Sequence, residues 1–254
     1  ELGMLCFSNP FDETAVDFLE ELNVPIYKIA SFENGHLPLI KKIASTGKPI
    51  ILSTGMATLI ELHDAVSEIR NAGCENLILL KCTSSYPASP TNSNLLTIPH
   101  MRELFGCEIG LSDHTMGIGA AISAIAHGAC VIEKHFTLSK NLPGIDQKAS
   151  IEPAELNELA QAIKDASLSL GSSQKKRSKE ENNTLKALRR SLVAAKNIKK
   201  NQILKKSMIA IKRPGTGLET KDINKIVGLR LKKNIIKDQI FKMKDFCRWK
   251  TLNY

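Results

Sequence analysis

Short apolar segments alternate with amphipathic ones over the first 170 residues, and this alternation constrains the fold more than any other feature of the chain. Apolar residues at helical spacing mark the amphipathic segments, whereas near-continuous apolar runs mark buried strands. We expect six strands, at 4–7, 26–30, 50–53, 77–82, 108–111 and 130–136. Among the helices between them, we expect one at 37–45 and one at 59–72, the latter with Thr58 as its N-cap three residues before Glu61. Because a strand, a helix and a further strand in series form a right-handed crossover, these strands should lie parallel in one sheet.

Two folds are built from such units, a closed barrel and an open doubly wound sheet. The open sheet is disfavoured because no glycine-rich phosphate-binding motif follows the first predicted strand. A closed eight-stranded barrel takes about 250 residues. We therefore expect an α/β fold in which residues 1–170 form a (β/α)₈ TIM-type barrel that lacks its first two βα units.

The last third of the chain differs from the first part in pattern and charge. Residues 171–190 are polar and suit a linker, and residues 191–247, with short β-like runs at 191–195, 209–212 and 227–231, suit a small, mostly β domain. Residues 1–170 contain 11 Lys and Arg against 20 Asp and Glu, whereas residues 171–254 contain 24 against 6. A basic appendage could dock on an acidic body, within or between subunits, as readily as on an external polyanion.

Composition argues against several other classes of protein. Aromatic residues make up only 5% of the chain, which disfavours a base-stacking nucleic-acid platform. No apolar run approaches the roughly 20 residues that cross a bilayer, and no secretory signal is visible at the start. The six cysteines have no CxxC spacing, so we expect buried, reduced thiols in a cytoplasmic protein.

Two histidines, His114 and His135, follow neighbouring predicted strands at their C-terminal ends. In parallel α/β folds this edge of the sheet collects ligands and catalytic groups. Two imidazoles there could bind one metal ion, or they could be unrelated polar side chains. Hydroxyl-bearing and cationic residues, which suit a small anionic ligand, follow the other strands. They are Lys28, Ser31, Ser53, Thr54, Ser84, Tyr86 and Ser112.

Six motifs occur in order along the chain. They are KIASFE (28–33), GKPIILSTGMAT (47–58), LLKCTSSYPASP (79–90), GLSDHTMGI (110–118), GACVIEKHFTL (128–138) and ASIEPAEL (149–156). Together they resemble the sialic acid synthase family, which condenses phosphoenolpyruvate with an N-acetylated amino sugar to form nonulosonic acids. The C-terminal third, with KRPGTG at 212–217, resembles that family's small antifreeze-like (SAF) domain.

The resemblance implies roles for individual residues at the strand ends. The implied ligands of Mn²⁺, with Mg²⁺ or Co²⁺ as alternatives, are His114 and His135. The implied substrate-binding residues, which with Lys28 hold phosphoenolpyruvate or lie beside it, are Ser31, Ser53, Thr54, Ser84, Tyr86 and Ser112. The implied catalytic residues are Lys28, Asp146 and Arg213. The resemblance further implies a homodimer in which the SAF domain of one subunit brings Arg213 to the sugar in its partner's barrel.

Three departures from the family pattern bear on activity and substrate. The family's opening segment, with two barrel strands, an acidic residue and a lysine of the site, is absent, so we expect this chain alone to be weakly active or inactive. Phe32 stands where sialic acid synthases usually have glycine, and its motif resembles pseudaminic acid synthases. Residues 144–150 look closer to the sialic or legionaminic acid type. We favour pseudaminic acid synthase over N-acetylneuraminate or legionaminic acid synthase.

Two other interpretations stay open. The basic last third could bind a polyanion, but its lysines are scattered and lack interleaved aromatic residues, so nucleic acid is the less favoured partner. Alternatively, Lys28 or Lys134 could form a Schiff base with a carbonyl substrate, as in an aldolase that needs no metal.

Overall fold

The computed structural model describes residues 2–247 of the 254-residue chain. The chain divides into two compact units, a first unit Glu1–Gly171 and a second unit Ser172–Tyr254. No helix within residues 2–247 is long and apolar enough to cross a membrane. The six cysteines, all within that range, are free thiols, but Cys6 and Cys130 are exposed, so the prediction that the thiols are buried is wrong for these two.

The first unit contains a parallel sheet packed against helices. Within residues 2–171, five strands are hydrogen-bonded in chain order, each parallel to the next. The strands are β1 (Tyr27–Ile29), β2 (Ile50–Ser53), β3 (Leu77–Cys82), β4 (Glu108–Asp113) and β5 (Ile132–Lys134). The helices are α1 (Glu13–Glu21), α2 (Leu37–Ser45), α3 (Leu59–Asn71), α4 (Thr97–Phe105), α5 (Gly119–Ala126) and α6 (Pro153–Leu170). This is the βα alternation that the sequence predicts.

One face of the sheet forms the apolar core with the helices. Successive residues of a strand point to opposite faces. Tyr27 and Ile29 of β1 and Leu79 of β3 belong to the large apolar cluster, and none is more than 1% exposed. Lys28, between the first two, points to the other face, where it bonds to Ser53 of β2. The sheet therefore has a helix-facing side and a second, inward side that carries polar groups.

An ion pair between the first and last strands shows that the sheet is curved. Lys28 Nζ on β1 lies 3.5 Å from Glu133 Oε2 on β5. In a flat sheet these strands would be roughly 19 Å apart, because neighbouring strands are about 4.8 Å apart. Lysine and glutamate side chains cannot bridge that gap. The five strands therefore form an arc, as in part of a barrel, which contradicts the doubly wound alternative.

The segment 4–7, predicted as the first strand, is not a strand. Residues 2–10 have no regular secondary structure, and Met4 and Leu5 are exposed. One backbone hydrogen bond, from Lys28 N to Ser8 O at 3.2 Å, joins this stretch to the edge of β1. An apolar sequence favours an extended backbone, but a strand also needs a continuous ladder of hydrogen bonds to a neighbour. The described residues of the first unit thus contain five strands where six were predicted.

Most other predicted segments of the first unit are confirmed, and α2, β2 and β3 have the predicted bounds. Strand β5 is shorter than the predicted 130–136, since Cys130 and Val131 make only hydrogen bonds outside its ladder and Phe136 makes a single bridge to Ile151. Strand β4 extends to Asp113, which was predicted to lie in the following loop. This difference matters for the site, since it places Asp113 on a defined face of the sheet.

The second unit has its own apolar core and little regular structure. Within residues 172–247, β6 (Ser191–Ala194) and β7 (Ile209–Lys212) form an antiparallel pair, and single bridges join other segments. The predicted strand at 227–231 is wrong, because helix α8 (Ile223–Ile226) ends just before it and its residues make single bridges only. Leu192, Leu204 and Phe241 form part of the core. Short turns between isolated bridges give no period-two pattern that a sequence could show.

A helix lies within the predicted linker 171–190. Helix α7 (Lys179–Leu188) begins at Ser178, whose hydroxyl accepts a hydrogen bond from Glu181 N in a capping box. None of its residues is buried. A helix without an apolar face has no helical hydrophobic period, so its sequence resembles that of a polar linker.

Thr58→Ala should destabilise the first unit by removing the cap of α3. Thr58 forms a capping box with Glu61, as their spacing predicts, with Glu61 Oε2 accepting from Thr58 N at 2.7 Å. We expect a loss of about 1 kcal/mol in the free energy of unfolding, measured by urea denaturation and circular dichroism. Ser67→Ala, in the middle of the same helix, is the matched control and should not destabilise. Equal stabilities of Thr58→Ala and the wild type would contradict this role of the cap.

Candidate active site

The inward side of each strand ends in a polar side chain. Because residues alternate between the two faces, these side chains converge at the C-terminal edge of the arc. They are Lys28 of β1, Ser53 of β2, Cys82 of β3, Ser112 of β4 and Glu133 of β5. Cys82 pairs in register with Ser112, and Ser112 with Glu133, so these three lie at one level of the sheet. We call this set the inner ring.

Four members of the inner ring form one connected chain of polar contacts. Lys28 Nζ donates to Ser53 Oγ at 2.7 Å, and Ser112 Oγ donates to Glu133 Oε1 at 2.7 Å. The 3.5 Å ion pair between Lys28 and Glu133 links the two halves. Burial lowers the pKa of Lys28, and the charge of Glu133 partly offsets that shift. The Lys28 side chain is only 13% exposed. It lies at the C-terminal edge of the arc, which we call the mouth of the site.

The hydroxyl groups of Ser31 and Ser84 lie against Gly55, in the loop after β2. We call these three residues the cradle. A Cβ atom on Gly55 would lie 2.3 Å from Ser31 Oγ and 2.4 Å from Ser84 Oγ, so the close approach needs a glycine. Ser84 Oγ is buried and has no hydrogen-bond partner among the described residues. Buried hydroxyls are normally hydrogen-bonded. A small polar cradle with an unsatisfied hydroxyl is suited to an anionic ligand.

His114 and His135 face each other beside Tyr86. The two imidazole centroids are 5.2 Å apart, and the Tyr86 ring lies 4.2 Å from that of His114. His114 Nδ1 lies 2.9 Å from Thr83 O. Because a carbonyl oxygen only accepts, Nδ1 carries a proton, and in the neutral ring Nε2 is the nitrogen with the free lone pair. His135 Nδ1 lies 3.7 Å from Asp146 Oδ2, and burial together with the neighbouring His114 lowers the pKa of His135.

The histidine pair fits two ligand positions of a divalent metal ion. Metal-binding imidazoles typically have the second ring nitrogen held by a carbonyl or carboxylate, which is what Thr83 O and Asp146 offer here. Within residues 2–247 no group of three His, Cys, Asp or Glu side chains converges as a metal site. Beyond the two histidines, this part of the chain leaves the remaining positions to water or substrate oxygens, as in an open catalytic site.

Cys82 and Glu133 are inner-ring residues that the predicted site lacked. Burial raises the pKa of the Cys82 thiol, but contacts with His114 and Ser31 outweigh it and lower the pKa to about 7. The Ser31 hydroxyl is the closer of the two, with Oγ 3.4 Å from Sγ, whereas His114 Nδ1 is 4.0 Å away. Both residues lie on the same face of their strands as Lys28 and Ser112. The alternation of residues along each predicted strand could have identified them.

The structure brings most of the predicted residues of the first unit together, with one exception. Thr54 donates its hydroxyl to Leu80 O at 3.0 Å, so it is bound to the backbone of β3 and not to the inner ring. Lys134, the alternative Schiff-base lysine, lies on the helix-facing side of β5. Its side chain is 3% exposed and paired with Asp113 at 2.8 Å, which contradicts a role as an accessible nucleophile.

In the second unit, Arg213 lies on a loop that is held by several hydrogen bonds. Arg213 Nε donates to Leu188 O at 3.0 Å, at the end of α7. Ser191 Oγ donates to Pro214 O at 2.6 Å and accepts from Gly217 N at 2.9 Å. Ser191 is fully buried, whereas Arg213 is exposed. The loop is therefore fixed from beneath and presents a cation at its surface.

The arc of parallel strands, with a polar mouth at its C-terminal edge, defines the class of barrel-type α/β proteins. Comparison with known proteins identifies the family. The NeuB family model matches residues 1–175, and the SAF domain model matches residues 189–246. The chain belongs to the NeuB family and carries a SAF domain.

Several similar proteins are synthases of legionaminic, pseudaminic or N-acetylneuraminic acid. The N,N'-diacetyllegionaminic acid synthase of Campylobacter jejuni is 43% identical over 92% of this chain and 71% of its own length. The pseudaminic acid synthase of Helicobacter pylori is 41% identical over 92% of this chain and 68% of its own length. The crystal structure of N-acetylneuraminic acid (sialic acid) synthetase from Leptospira borgpetersenii, in complex with citrate, is 36% identical with a TM-score of 0.67, and the match covers 71% of this chain and 63% of that one.

These comparisons confirm the predicted family and the predicted combination of barrel strands with a SAF domain. The chain spans less than two thirds of the Leptospira structure and somewhat more of the two relatives. The identities to the legionaminic and pseudaminic acid synthases differ by too little to separate the two sugar types.

Ser191→Ala should loosen the Arg213 loop. The substitution leaves Gly217 N without its acceptor, and loss of one buried hydrogen bond costs about 1–3 kcal/mol. We expect the Gly217 amide to exchange its hydrogen roughly 10- to 100-fold faster, measured by hydrogen–deuterium exchange on the whole chain. Ser207→Ala, at an exposed serine of the same unit, is the control. Unchanged exchange at Gly217 would show that Ser191 does not hold the loop.

Proposed function

We propose that the chain belongs to a nonulosonic acid synthase that condenses phosphoenolpyruvate with an N-acetylated amino sugar and releases phosphate. The names of its relatives support the product class. The observation that carries the proposal is the inner ring itself. A buried lysine and converging hydroxyls lie beside a histidine pair, which suits a doubly anionic substrate next to a carbonyl compound.

Phosphoenolpyruvate is bound by Lys28 and the hydroxyl groups around it. Lys28 supplies the positive charge, and Ser53 orients its ammonium group. Ser31 and the unsatisfied Ser84 hydroxyl donate to anionic oxygens at the cradle beside Gly55. A ligand with an anionic carboxylate and an anionic phosphate gains more from each such contact in a site shielded from water than it would in bulk solvent.

The open-chain sugar binds with its aldehyde oxygen towards His114 and His135. A divalent ion held by these residues, Mn²⁺ with Mg²⁺ or Co²⁺ as alternatives, would polarise the carbonyl as a Lewis acid. Thr83 O and Asp146 keep both imidazoles oriented. The Tyr86 ring covers one side of the pair and limits access of water.

The chemistry forms one carbon–carbon bond and exchanges the C2–O bond to phosphate for a C2–O bond to water. C3 of phosphoenolpyruvate attacks the aldehyde carbon, whose oxygen becomes a hydroxyl group, and water adds at C2. Glu133, fixed by Ser112, takes the proton that the water loses, and this proton converts the new alkoxide into the hydroxyl group. The C2–O bond to phosphate then breaks, the phosphate keeps the electron pair and takes up the proton of the C2 hydroxyl group, and C2 becomes a ketone. Lys28 balances the charge of the departing phosphate.

The SAF domain completes the site in a homodimer, with Arg213 of one subunit contacting the sugar in its partner's barrel. The charge division along the chain supports this arrangement, since residues 171–254 are strongly basic and residues 1–170 are acidic. The fixed loop beneath Arg213 supports it as well, because a cation that is already ordered loses little entropy on binding.

The particular product we propose is pseudaminic acid, with legionaminic and N-acetylneuraminic acid as alternatives. Phe32 supports this choice. It follows the cradle residue Ser31 directly and is 58% exposed, and its motif resembles that of pseudaminic acid synthases.

The test is phosphate release with phosphoenolpyruvate, Mn²⁺ and each candidate amino sugar in turn, together with direct binding of phosphoenolpyruvate. We expect the chain to bind phosphoenolpyruvate and to release phosphate weakly, faster with one of the three sugars than with the other two. A metal chelator and His135→Ala should each lower release at least tenfold. A chain that binds neither phosphoenolpyruvate nor Mn²⁺, or that releases phosphate at the same rate whether or not a sugar is present, would contradict the proposed activity.

Gly55→Ala should weaken phosphoenolpyruvate binding by crowding the cradle. Its Cβ would lie 2.3 Å from Ser31 Cβ, which cannot move without shifting the backbone after β1. We expect at least a tenfold higher Kd, measured by calorimetry. Gly35→Ala is the matched control, since a Cβ there meets no atom within 4 Å. Equal affinities of the two variants would exclude this cradle as the binding site.

A further inference from the structure

We propose that a buried ion pair on the helix-facing side of the sheet, Asp113 with Lys134, positions the two histidines. This inference rests on the proposed function, because it concerns the metal-binding geometry of His114 and His135. Each member of the ion pair directly precedes one histidine in the chain. The pair takes no part in the chemistry proposed above, and its side chains point away from the mouth.

The ion pair ties the ends of β4 and β5 together at one level. Asp113 and Lys134 are partners in the register of the parallel sheet, and Lys134 Nζ lies 2.8 Å from Asp113 Oδ2. The two side chains are 1% and 3% exposed. Because residues alternate in a strand, a fixed pair on one face also fixes where the next residue of each strand emerges on the other. Those next residues are the histidines.

Two further hydrogen bonds join the ion pair to the backbone of Thr115, on the other side of His114. Asp113 Oδ1 accepts from Thr115 N at 2.9 Å, and Lys134 Nζ donates to Thr115 O at 2.7 Å. Residues on both sides of His114 are thereby bound to a single lysine on the neighbouring strand. The backbone of His114 has little freedom to rotate, and its distance from His135 is set by groups that never contact the ligand.

Stability alone does not account for a charged pair at this place. A buried ion pair loses the hydration of both charges, and replacing it with apolar residues of similar volume is often neutral or stabilising. What an apolar pair cannot reproduce is the set of directed bonds to Thr115 N and O. Positioning of the histidines is therefore the property that distinguishes the ion pair from a well-packed apolar contact.

The test compares metal affinity with stability in variants of the whole chain. Lys134→Met leaves a buried carboxylate unpaired, whereas the double variant Asp113→Leu with Lys134→Met removes both charges. Mn²⁺ binding is measured by titration with electron paramagnetic resonance, and stability by the urea midpoint. Ile50→Ala, at the N-terminal end of β2, is the control that destabilises the core far from the histidines.

We expect the double variant to recover most of the urea midpoint lost by Lys134→Met, yet to bind Mn²⁺ about 10- to 100-fold more weakly than the wild type. Ile50→Ala should lower the midpoint and keep the wild-type Kd. Wild-type affinity in the double variant, or an equal loss in Ile50→Ala, would overturn the inference. If Lys134→Met does not fold, the Mn²⁺ affinity of the double variant still tests the inference. A wild-type chain that binds no Mn²⁺ would instead overturn the metal site and the positioning with it.

Discussion

The alternation of side chains along five short parallel strands is the constraint on which the first unit depends. It sends Tyr27, Ile29 and Leu79 into the core with the helices and sends Lys28 to the opposite face. The apolar side stabilises the fold, because burial of this surface is the dominant favourable contribution to folding. The other side is thereby left available for polar groups at little cost to the core. Because apolar packing and the polar groups occupy opposite faces, the polar groups can gather at one edge of the sheet without weakening the apolar core.

Curvature turns those polar groups into a site. Lys28 and Glu133 lie on the first and last strands of the arc, and only a curved sheet brings them within 3.5 Å. The same curvature brings hydroxyl groups of intervening strands and loops towards the buried lysine. A site built from one side chain per strand inherits the rigidity of the sheet, which favours the fixed donor positions that anion binding and charge stabilisation need.

Both units contain buried polar groups that hold residues to which we assign a functional role. In the first unit, Asp113 and Lys134 lie behind the two histidines. In the second unit, Ser191 lies beneath the loop of Arg213 and binds Pro214 O and Gly217 N. Such groups are expensive to bury unless every donor and acceptor finds a partner. Where they are satisfied, they set the direction of a backbone segment more sharply than apolar packing does.

The sequence by itself determined the features that depend on neighbouring residues. The bounds of α2, β2 and β3, the cap at Thr58 and the position of both histidines after strands follow from local periodicity and capping chemistry. Only the tertiary structure decided which extended segments find partners, so residues 4–7 remain without a ladder although they are apolar. It also decided which face each polar residue occupies. Thr54 is bound to the backbone while Glu133 joins the site, because curvature and pairing are long-range properties that no local pattern contains.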